Sequence, residues 1–169
     1  IPGSTMAEKL GYARQHLDGL RRLLMDEPRG SAVMSGALIT EPTRADCRVG
    51  VLFIEVGGFL PMCGHDTIGL CTALVESGAV PITGPETEIT LDTPAGPIVA
   101  TVHTGGGQVL AVSFENTPSF VYQEGVALAL PDIGAIKLDI AYGGCFYAIV
   151  EVRQLGFGLE QGNAEHLIR

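Results

Sequence analysis

The feature that most constrains the fold is an apolar run that begins at Ile68 and stops at Gly78. Its apolar residues recur at the three- and four-residue spacing of one helical face: Ile68, Cys71, Leu74 and Val75. Glycine is typical of the position just past a helix C-terminus. The pattern therefore predicts an amphipathic helix that ends at this glycine. A helix of this kind needs other elements to cover its apolar face.

A short polar segment precedes this helix and predicts a site for chemistry. Asp66 or Thr67 can cap the helix by accepting a hydrogen bond from a first-turn N–H group. Cys63 and Gly64 then lie at the positive, donor-rich end of the helix. The pKa of a thiol is lowered there, and backbone N–H groups can hold a carboxylate. Gly64 has no Cβ, so a ligand can approach the backbone closely.

The start of the chain predicts a second helix. Thr5 and Glu8 have the spacing of a capping box, with Glu8 reaching back to the cap. Apolar residues at spacings of three and four then predict one helix from Met6 to Met25. Pro28 prevents its continuation. The amphipathic face of this helix is expected to pack on a sheet.

Short β-rich runs separated by turn compositions fill most of the remaining chain. They cover residues 33–40, 49–55, 87–92, 98–103, 109–115, 120–122, 126–130, 136–140 and 146–152. Alternation on both sides of Thr93–Gly96 predicts a half-buried hairpin, and Gly105–Gly107 predicts a second reversal. Asn163 is expected to cap a last helix over 163–169. Together these elements predict an α+β lobe with an antiparallel sheet wrapped around a central helix.

Composition excludes several classes of function. The 169 residues are 46% hydrophobic and 17% charged, which favours a folded domain over disorder. The net charge is −9 and no basic stretch exceeds Arg21-Arg22, which argues against a nucleic-acid partner. No apolar run approaches the ~18 residues of a membrane span, and no secretory signal is visible at the start. We therefore expect neither a membrane partner nor secretion.

The cysteines and glycines also have less specific interpretations. The four cysteines show no CxxC spacing, which favours reduced thiols and a cytoplasmic location. Cys63 and His65 lack a second ligand pair, so no metal site is expected. Cys71 lies on the apolar helix face and is expected in the core, whereas Cys47 falls in a polar turn. Gly105–Gly107 is interpreted as a turn, because no strand–loop–helix with Lys-Ser/Thr surrounds it.

The segment Met62–Gly69, MCGHDTIG, closely resembles the first active-site motif of the proline racemase family. That family comprises proline racemases, 4-hydroxyproline 2-epimerases and trans-3-hydroxyproline dehydratases. Four further stretches resemble family landmarks and follow in the family's order: Ile1–Lys9, Glu27–Gly30, Leu91–Gly96 and Ala141–Gly144. The resemblance covers essentially the whole chain.

The resemblance implies an isomerase with a diaminopimelate-epimerase-like fold that acts on an imino acid without pyridoxal phosphate or any other cofactor. Cys63 would be one of two acid/base residues at the substrate α-carbon. Gly64 would offer its N–H to the substrate carboxylate, and His65 would hold the substrate through its side chain and backbone. Asp66 would be either an N-cap or a substrate contact; relatives often have glycine or asparagine there. A cofactor-free route needs two positioned bases, one on each face, and electrostatic support for the carboxylate.

Substrate choice depends on one further position. Relatives often have an aromatic residue where this chain has Ser35. If Ser35 lines the pocket, it leaves room and a hydrogen-bond partner for a hydroxylated ring. By this resemblance we expect 4-hydroxyproline to be favoured over proline.

Family members are roughly twice as long and consist of two similar lobes. Residues 1–169 are therefore interpreted as a single lobe, the first of the two, with the second lobe as its partner. A second cysteine in that lobe would imply a racemase or epimerase with two thiols. A threonine would imply the trans-3-hydroxyproline dehydratase, and a non-catalytic carboxylate-binding lobe is a further alternative. A homodimer is compatible with the resemblance.

Overall fold

The computed structural model describes residues 1–168. Contacts between residues divide the chain into two compact units, Ile1–Thr117 and Pro118–Arg169, called here the N-terminal and C-terminal units. The interpretation of residues 1–169 as one lobe stays a prediction. No helix in the described part of the chain is long and apolar enough to cross a membrane.

The N-terminal unit contains three helices and six strands. The helices are α1 (Met6–His16), α2 (Asp18–Met25) and α3 (Gly64–Glu76). The strands are β1 (Ser35–Thr40), β2 (Val49–Glu55), β3 (Gly58–Leu60), β4 (Glu86–Thr93), β5 (Gly96–Gly105) and β6 (Gln108–Glu115). These bounds confirm the predicted strands in this unit to within a few residues.

The predicted capping box forms, but the single helix predicted from Met6 to Met25 is wrong. The Glu8 N–H donates to Thr5 Oγ1 at 3.1 Å, and the Glu8 carboxylate accepts from the Ser4 N–H at 2.7 Å. Leu17 leaves the helical region, with φ −113° and ψ 8°, and separates α1 from α2. The break has a local cause in Gly19, which lowers helix propensity, and a tertiary cause in the anchoring of α2 to the sheet.

Three cations on these helices bind backbone carbonyl groups of the strands or of the residues that follow them. Lys9 donates to the Glu41 carbonyl at 2.6 Å, and Arg14 donates to the Phe59 carbonyl at 3.1 Å. Arg21 is buried and donates to the carbonyls at positions 55 and 56, the end of β2. These bonds give the carbonyl groups side-chain donors, and they fix both helices to the sheet.

The sheet has the order β1-β2-β4-β5-β6, with β3 paired to β2. Every pairing is antiparallel except that of β2 with β4, in which Val49 is opposite Leu91. The predicted hairpin is confirmed by β4 and β5, which meet at the Thr93–Gly96 turn. Both edge strands, β1 and β6, contact α3, so the sheet curls around this helix. The predicted α+β fold around a central helix is thereby confirmed.

The core has one layer on each face of β2. Val51 and Phe53 pack with α3, while Leu52 and Ile54 pack with α1 and α2. The buried face of α3 consists of Thr67, Leu70, Cys71, Leu74 and Val75. Ile68 was predicted on this face but is 41% exposed, because the buried face is centred on Cys71 and runs through Thr67 instead. At the end of α3, Gly78 has φ +77° and its N–H donates to the Val75 carbonyl. The prediction that the helix ends at this glycine is therefore confirmed.

The C-terminal unit is a three-stranded antiparallel sheet in the order β7-β8-β9. Its strands are β7 (Phe120–Leu130), β8 (Gly134–Tyr142) and β9 (Phe146–Val150), followed by two 3₁₀ turns and α4 (Ala164–Ile168). The runs predicted at 120–122 and 126–130 are one strand, joined through irregular register. Asn163 directly precedes α4, and its side-chain amide donates to the Gly158 carbonyl at 3.1 Å. Its role as the cap of α4 stays a prediction. Arg169, the end of the predicted helix, lies outside the described residues.

An aromatic cluster occupies the C-terminal unit. Phe120 stacks on Tyr142 with ring centroids 5.2 Å apart, and Phe146 lies 5.0 Å from the same ring. Tyr122 contacts Phe146 edge-on at 5.6 Å. Phe120, Tyr122 and Phe146 are each at least half exposed.

Candidate active site

Cys63 is the residue from which α3 begins. It is the N-cap, with extended backbone angles of φ −146° and ψ 123°. Its carbonyl accepts two hydrogen bonds from Thr67, one from the N–H at 3.1 Å and one from Oγ1 at 2.8 Å. The prediction that Asp66 or Thr67 caps the helix is therefore wrong, because both lie inside the first turn. The buried Thr67 instead fixes the backbone of the cysteine.

The Cys63 thiol is half-buried and packs against the core layer beneath α3. Burial is the largest influence and raises its pKa. The N–H groups of Asp66 and His65 lower the pKa, as expected at a helix N-terminus, while the charge of the Asp66 carboxylate raises it. The balance is a pKa above the ordinary value of 9.0, so the predicted lowering is wrong for this chain.

Gly64 lies in a closely packed position at the start of α3. A Cβ at this position would lie 3.3 Å from Cζ of Phe114, which projects from β6. Phe114 and Val112 form the half-buried side of β6 that packs on the core. The first turn of α3 is thus pressed against β6. This contact was not predicted from the sequence, although a strand over 109–115 places Val112 and Phe114 on the face opposite Ser113.

Ser35 and Asp66 are brought together from positions 31 residues apart. Ser35 begins β1, and its hydroxyl donates to Asp66 Oδ1 at 2.8 Å. Asp66 Oδ2 is buried and has no hydrogen-bond partner among the described residues. The two predicted pocket residues are therefore in direct contact with each other. Their contact with a substrate stays a prediction.

A cleft of ≈ 310 Å³ lies between β1 and α3, beside this pair. Ser35 and Asp66 line it together with residues that leave space, including Gly36, Ala37 and Gly69. His65 is exposed on the first turn of α3. Of the predicted site residues, Ser35 and Asp66 line this cleft, whereas Cys63, Gly64 and His65 do not.

A larger cleft of ≈ 480 Å³ lies on the C-terminal unit. It is lined by charged residues of both signs, among them Lys137, Asp139 and Arg153. Gln154 binds both the N–H and the carbonyl of Lys137 at 2.8 Å, which joins the 3₁₀ turn to β8. None of the predicted site residues lines this cleft. We place the candidate site at α3.

The other cysteines differ from Cys63 in their surroundings. Cys71 is fully buried, and burial raises its pKa to about 11, which confirms the prediction of a core residue. Cys47, predicted in a polar turn, is buried, and burial raises its pKa also. No group of three or more metal-ligating side chains occurs in the part of the chain that the structure describes.

Comparison with known proteins shows the family of the chain. It matches the proline racemase family over residues 1–169. The chain belongs to the proline racemase family. It is 47% identical over 168 residues to a 4-hydroxyproline 2-epimerase of Streptosporangium roseum, covering 99% of this chain and 50% of that protein. It is 44% identical over 167 residues to a proline racemase of Clostridioides difficile, with 99% and 50% coverage.

A solved structure supports the same assignment. A hydroxyproline epimerase from Agrobacterium vitis, with bound trans-4-OH-L-proline, superposes with a TM-score of 0.87 at 35% identity. The match covers 99% of this chain and 50% of that one. The chain spans about half the length of the curated relatives it matches.

Proposed function

We propose that the complete enzyme containing this chain inverts the α-carbon of 4-hydroxyproline or proline without a cofactor. The observation that carries the proposal is the half-buried Cys63 thiol at the N-terminus of α3, three residues before Asp66, which lines a cleft of ≈ 310 Å³ between α3 and β1. Two relatives named for these activities, and the trans-4-OH-L-proline bound to the Agrobacterium vitis enzyme, support it.

Each group at the start of α3 has a role in this reaction. The backbone N–H groups of Gly64 and His65 would hold the substrate carboxylate, because a helix N-terminus favours an anion. Cys63 would serve one face of the α-carbon as acid or base. In the two-thiol mechanism the opposite face is served by a second thiol, supplied by a second lobe that is similar to this one.

The contact between Ser35 and Asp66 refines the proposed preference for a hydroxylated ring. A serine hydroxyl has one proton, and here Asp66 accepts it. Ser35 Oγ can therefore only accept from a substrate hydroxyl. A ring that carries a 4-hydroxyl would satisfy this acceptor, whereas proline would not.

Replacing Ser35 tests this preference. Ser35→Phe should shift the ratio of kcat/KM values toward proline by roughly ten-fold or more, because the ring fills the cleft and removes the acceptor. Ser35→Ala removes the acceptor without filling the cleft, and so separates the two effects. An unchanged ratio in both variants would contradict the proposed role of Ser35.

Solvent deuterium incorporation at the α-carbon tests the function itself. The complete enzyme should return the imino acid with inverted configuration and one deuterium per inversion. A dehydrated product would instead indicate the trans-3-hydroxyproline dehydratase. An enzyme that neither exchanges the proton nor changes the substrate would be a carboxylate-binding protein, and the proposed function would be wrong.

A further inference from the structure

One face of the C-terminal sheet is apolar over nearly its whole area. Residues directly opposite each other on paired strands project from the same face. The register of β7, β8 and β9 therefore collects one set of side chains, called here the apolar face. Gln123 is its one polar amide, and none of its members carries a charge. The members are Phe120, Gln123, Val126, Leu128 and Leu130 of β7, Ile136, Leu138, Ile140 and Tyr142 of β8, and Phe146, Ala148 and Val150 of β9.

The charged residues of β8 lie on the opposite face. Lys137 is paired with Ala127 and Asp139 with Ile149, and these pairs alternate with the pairs of the apolar face. A sheet with one charged and one apolar face is typical of strands that are solvated on one side and packed against a second layer on the other. The sequence of the C-terminal unit is therefore suited to a covering layer.

The aromatic end of the apolar face is exposed. Phe120, Tyr122 and Phe146 are 50%, 63% and 61% exposed, whereas Ile136 at the other end is buried. Tyr122 belongs to this end through its edge-on contact with Phe146, with 5.6 Å between the ring centroids. The rings contact one another, so they form one continuous aromatic patch. Exposed apolar patches mark interaction sites, and aromatic residues are enriched in the buried centres of interfaces.

The N-terminal unit shows what such a sheet needs. Val51 and Phe53 of β2 are completely buried and pack with α3, a helix of 13 residues. In the described part of the C-terminal unit the longest helix is α4, which has five residues and a length of about 8 Å. β7 has 11 residues and spans about 35 Å. Because α4 is too short to cover the sheet, the covering layer has to come from outside this chain.

We propose that the apolar face is a docking surface for the other half of the complete enzyme, which covers its aromatic end with a helix that presents apolar side chains. The chain spans about half the length of the relatives it matches, so about as many residues again are available for this layer. A partner in the same polypeptide is present at a high effective concentration, which favours it over a second copy of the chain. An apolar partner surface is needed, because an ionised group buried against this face would have no counter-charge.

Hydrogen exchange in the complete enzyme and in the 169-residue chain tests the proposal. Amides of β7 and β9 should exchange at least about 30-fold more slowly in the complete enzyme, because a packed layer opposes opening of the sheet. Amides of β2, which has a core layer on each face in the chain itself, should slow by a smaller factor. Peptides from each strand are followed by mass spectrometry. Equal exchange of β7 and β9 in the two proteins would overturn the proposal.

Replacement of one exposed ring tests the contact within the complete enzyme. Phe146→Ser should lower the Tm by about 5 °C more than Leu110→Ser, because serine leaves a cavity under the covering helix. Leu110 is the matched control, an apolar strand residue of the N-terminal unit that is 71% exposed. In the 169-residue chain each replacement should change the Tm by about 2 °C or less, since both side chains are in contact with water there. A loss for Phe146→Ser in the complete enzyme no larger than that for Leu110→Ser would overturn the proposal.

The state of association separates a second copy of the chain from the other half of the enzyme. Sedimentation of the 169-residue chain over a range of concentrations should show no dimer that Phe146→Ser abolishes. Such a dimer would assign the apolar face to a second copy and overturn the proposal. Turnover of imino acids enters none of these measurements, so the docking surface and the proposed function are tested separately.

Discussion

The two units of the chain are both built from mainly antiparallel hydrogen-bonded strands but differ in what covers those strands. In the N-terminal unit, helices lie on both faces of β2, and residues such as Phe53, Ile89 and Ile98 are completely buried. In the described part of the C-terminal unit, Ile136 is the one buried hydrophobic residue, while Phe120 and Phe146 remain exposed. Strand pairing alone does not create a core, because an apolar sheet face needs a second layer.

The largest expected difference between the units is in how much a cysteine replacement lowers the rate of inversion. In the complete enzyme, Cys63→Ser should reduce inversion by about 1,000-fold or more, because the serine hydroxyl is a far weaker acid than a thiol and its alkoxide is not populated at neutral pH. Cys145→Ser, the matched replacement in the C-terminal unit, should leave the rate within about two-fold of the wild type. Rates of inversion by chiral chromatography measure both. Equal losses would mean that the two units do not differ in their chemistry.

Hydrogen exchange should show the same contrast in local stability. In the 169-residue chain, amides of β2 and β5 should exchange at least about 100-fold more slowly than those of β7 and β9, since few buried contacts oppose opening of the second sheet. Mass spectrometry of peptides from each strand measures this. Comparable protection in both sheets would contradict the contrast in packing.

Two aspartates that accept backbone hydrogen bonds permit a matched test of stability. Asp92 is buried, and its Oδ2 accepts from the N–H and Oγ1 of Thr43, at 2.6 and 2.8 Å, and from the Arg44 N–H at 3.1 Å. Asp92→Ala should lower the free energy of unfolding by about 2–4 kcal/mol, because it leaves these donors unpaired. Asp139 is exposed and accepts one bond, from the Gly125 N–H at 2.8 Å. Asp139→Ala should cost about 1 kcal/mol or less in urea unfolding, and a reversed order would be inconsistent with the burial of the two residues.

The smallest expected effect is the pH dependence that Cys71 gives to the N-terminal unit. Burial raises its pKa from 9.0 to about 11, so the unfolded chain releases this proton first. The stability it contributes is fully present below pH 9 and is lost as the pH rises to about 11. The difference in unfolding free energy between wild type and Cys71→Ala should therefore shrink across this interval. If the two curves of unfolding free energy against pH stayed parallel, the pKa of Cys71 would be the same in the folded and unfolded chains.

Local signals predicted much of the N-terminal unit. The β4–β5 hairpin follows from alternation around one turn, and the end of α3 follows from Gly78 and its positive φ. The position of Cys63 at the helix start was also predicted from sequence. These features depend on residues that are close in the chain. The periodicity of hydrophobic residues and the residue types at turns are therefore sufficient to predict them.

The remaining features depend on contacts that a sequence pattern does not contain. Thr67 is buried in place of Ile68 because the Cys63 carbonyl satisfies its hydroxyl, whereas a hydrophobicity pattern treats it as polar. The bond between Ser35 and Asp66 joins distant positions. The pKa of Cys63 is raised because burial outweighs the helix N-terminus, and the extent of burial requires the packed structure.

The parallel pairing of β2 with β4 has a consequence for how the chain folds. Pairing Val49 with Leu91 closes a loop of about 40 residues that contains β3 and the whole of α3. Contacts between such distant positions form late, because closing the loop costs chain entropy before the contacts can contribute any stability. The helix can form early from its own sequence, yet its N-terminus is enclosed only when this pairing is made. We therefore expect the thiol to acquire its buried surroundings in the slowest step of folding.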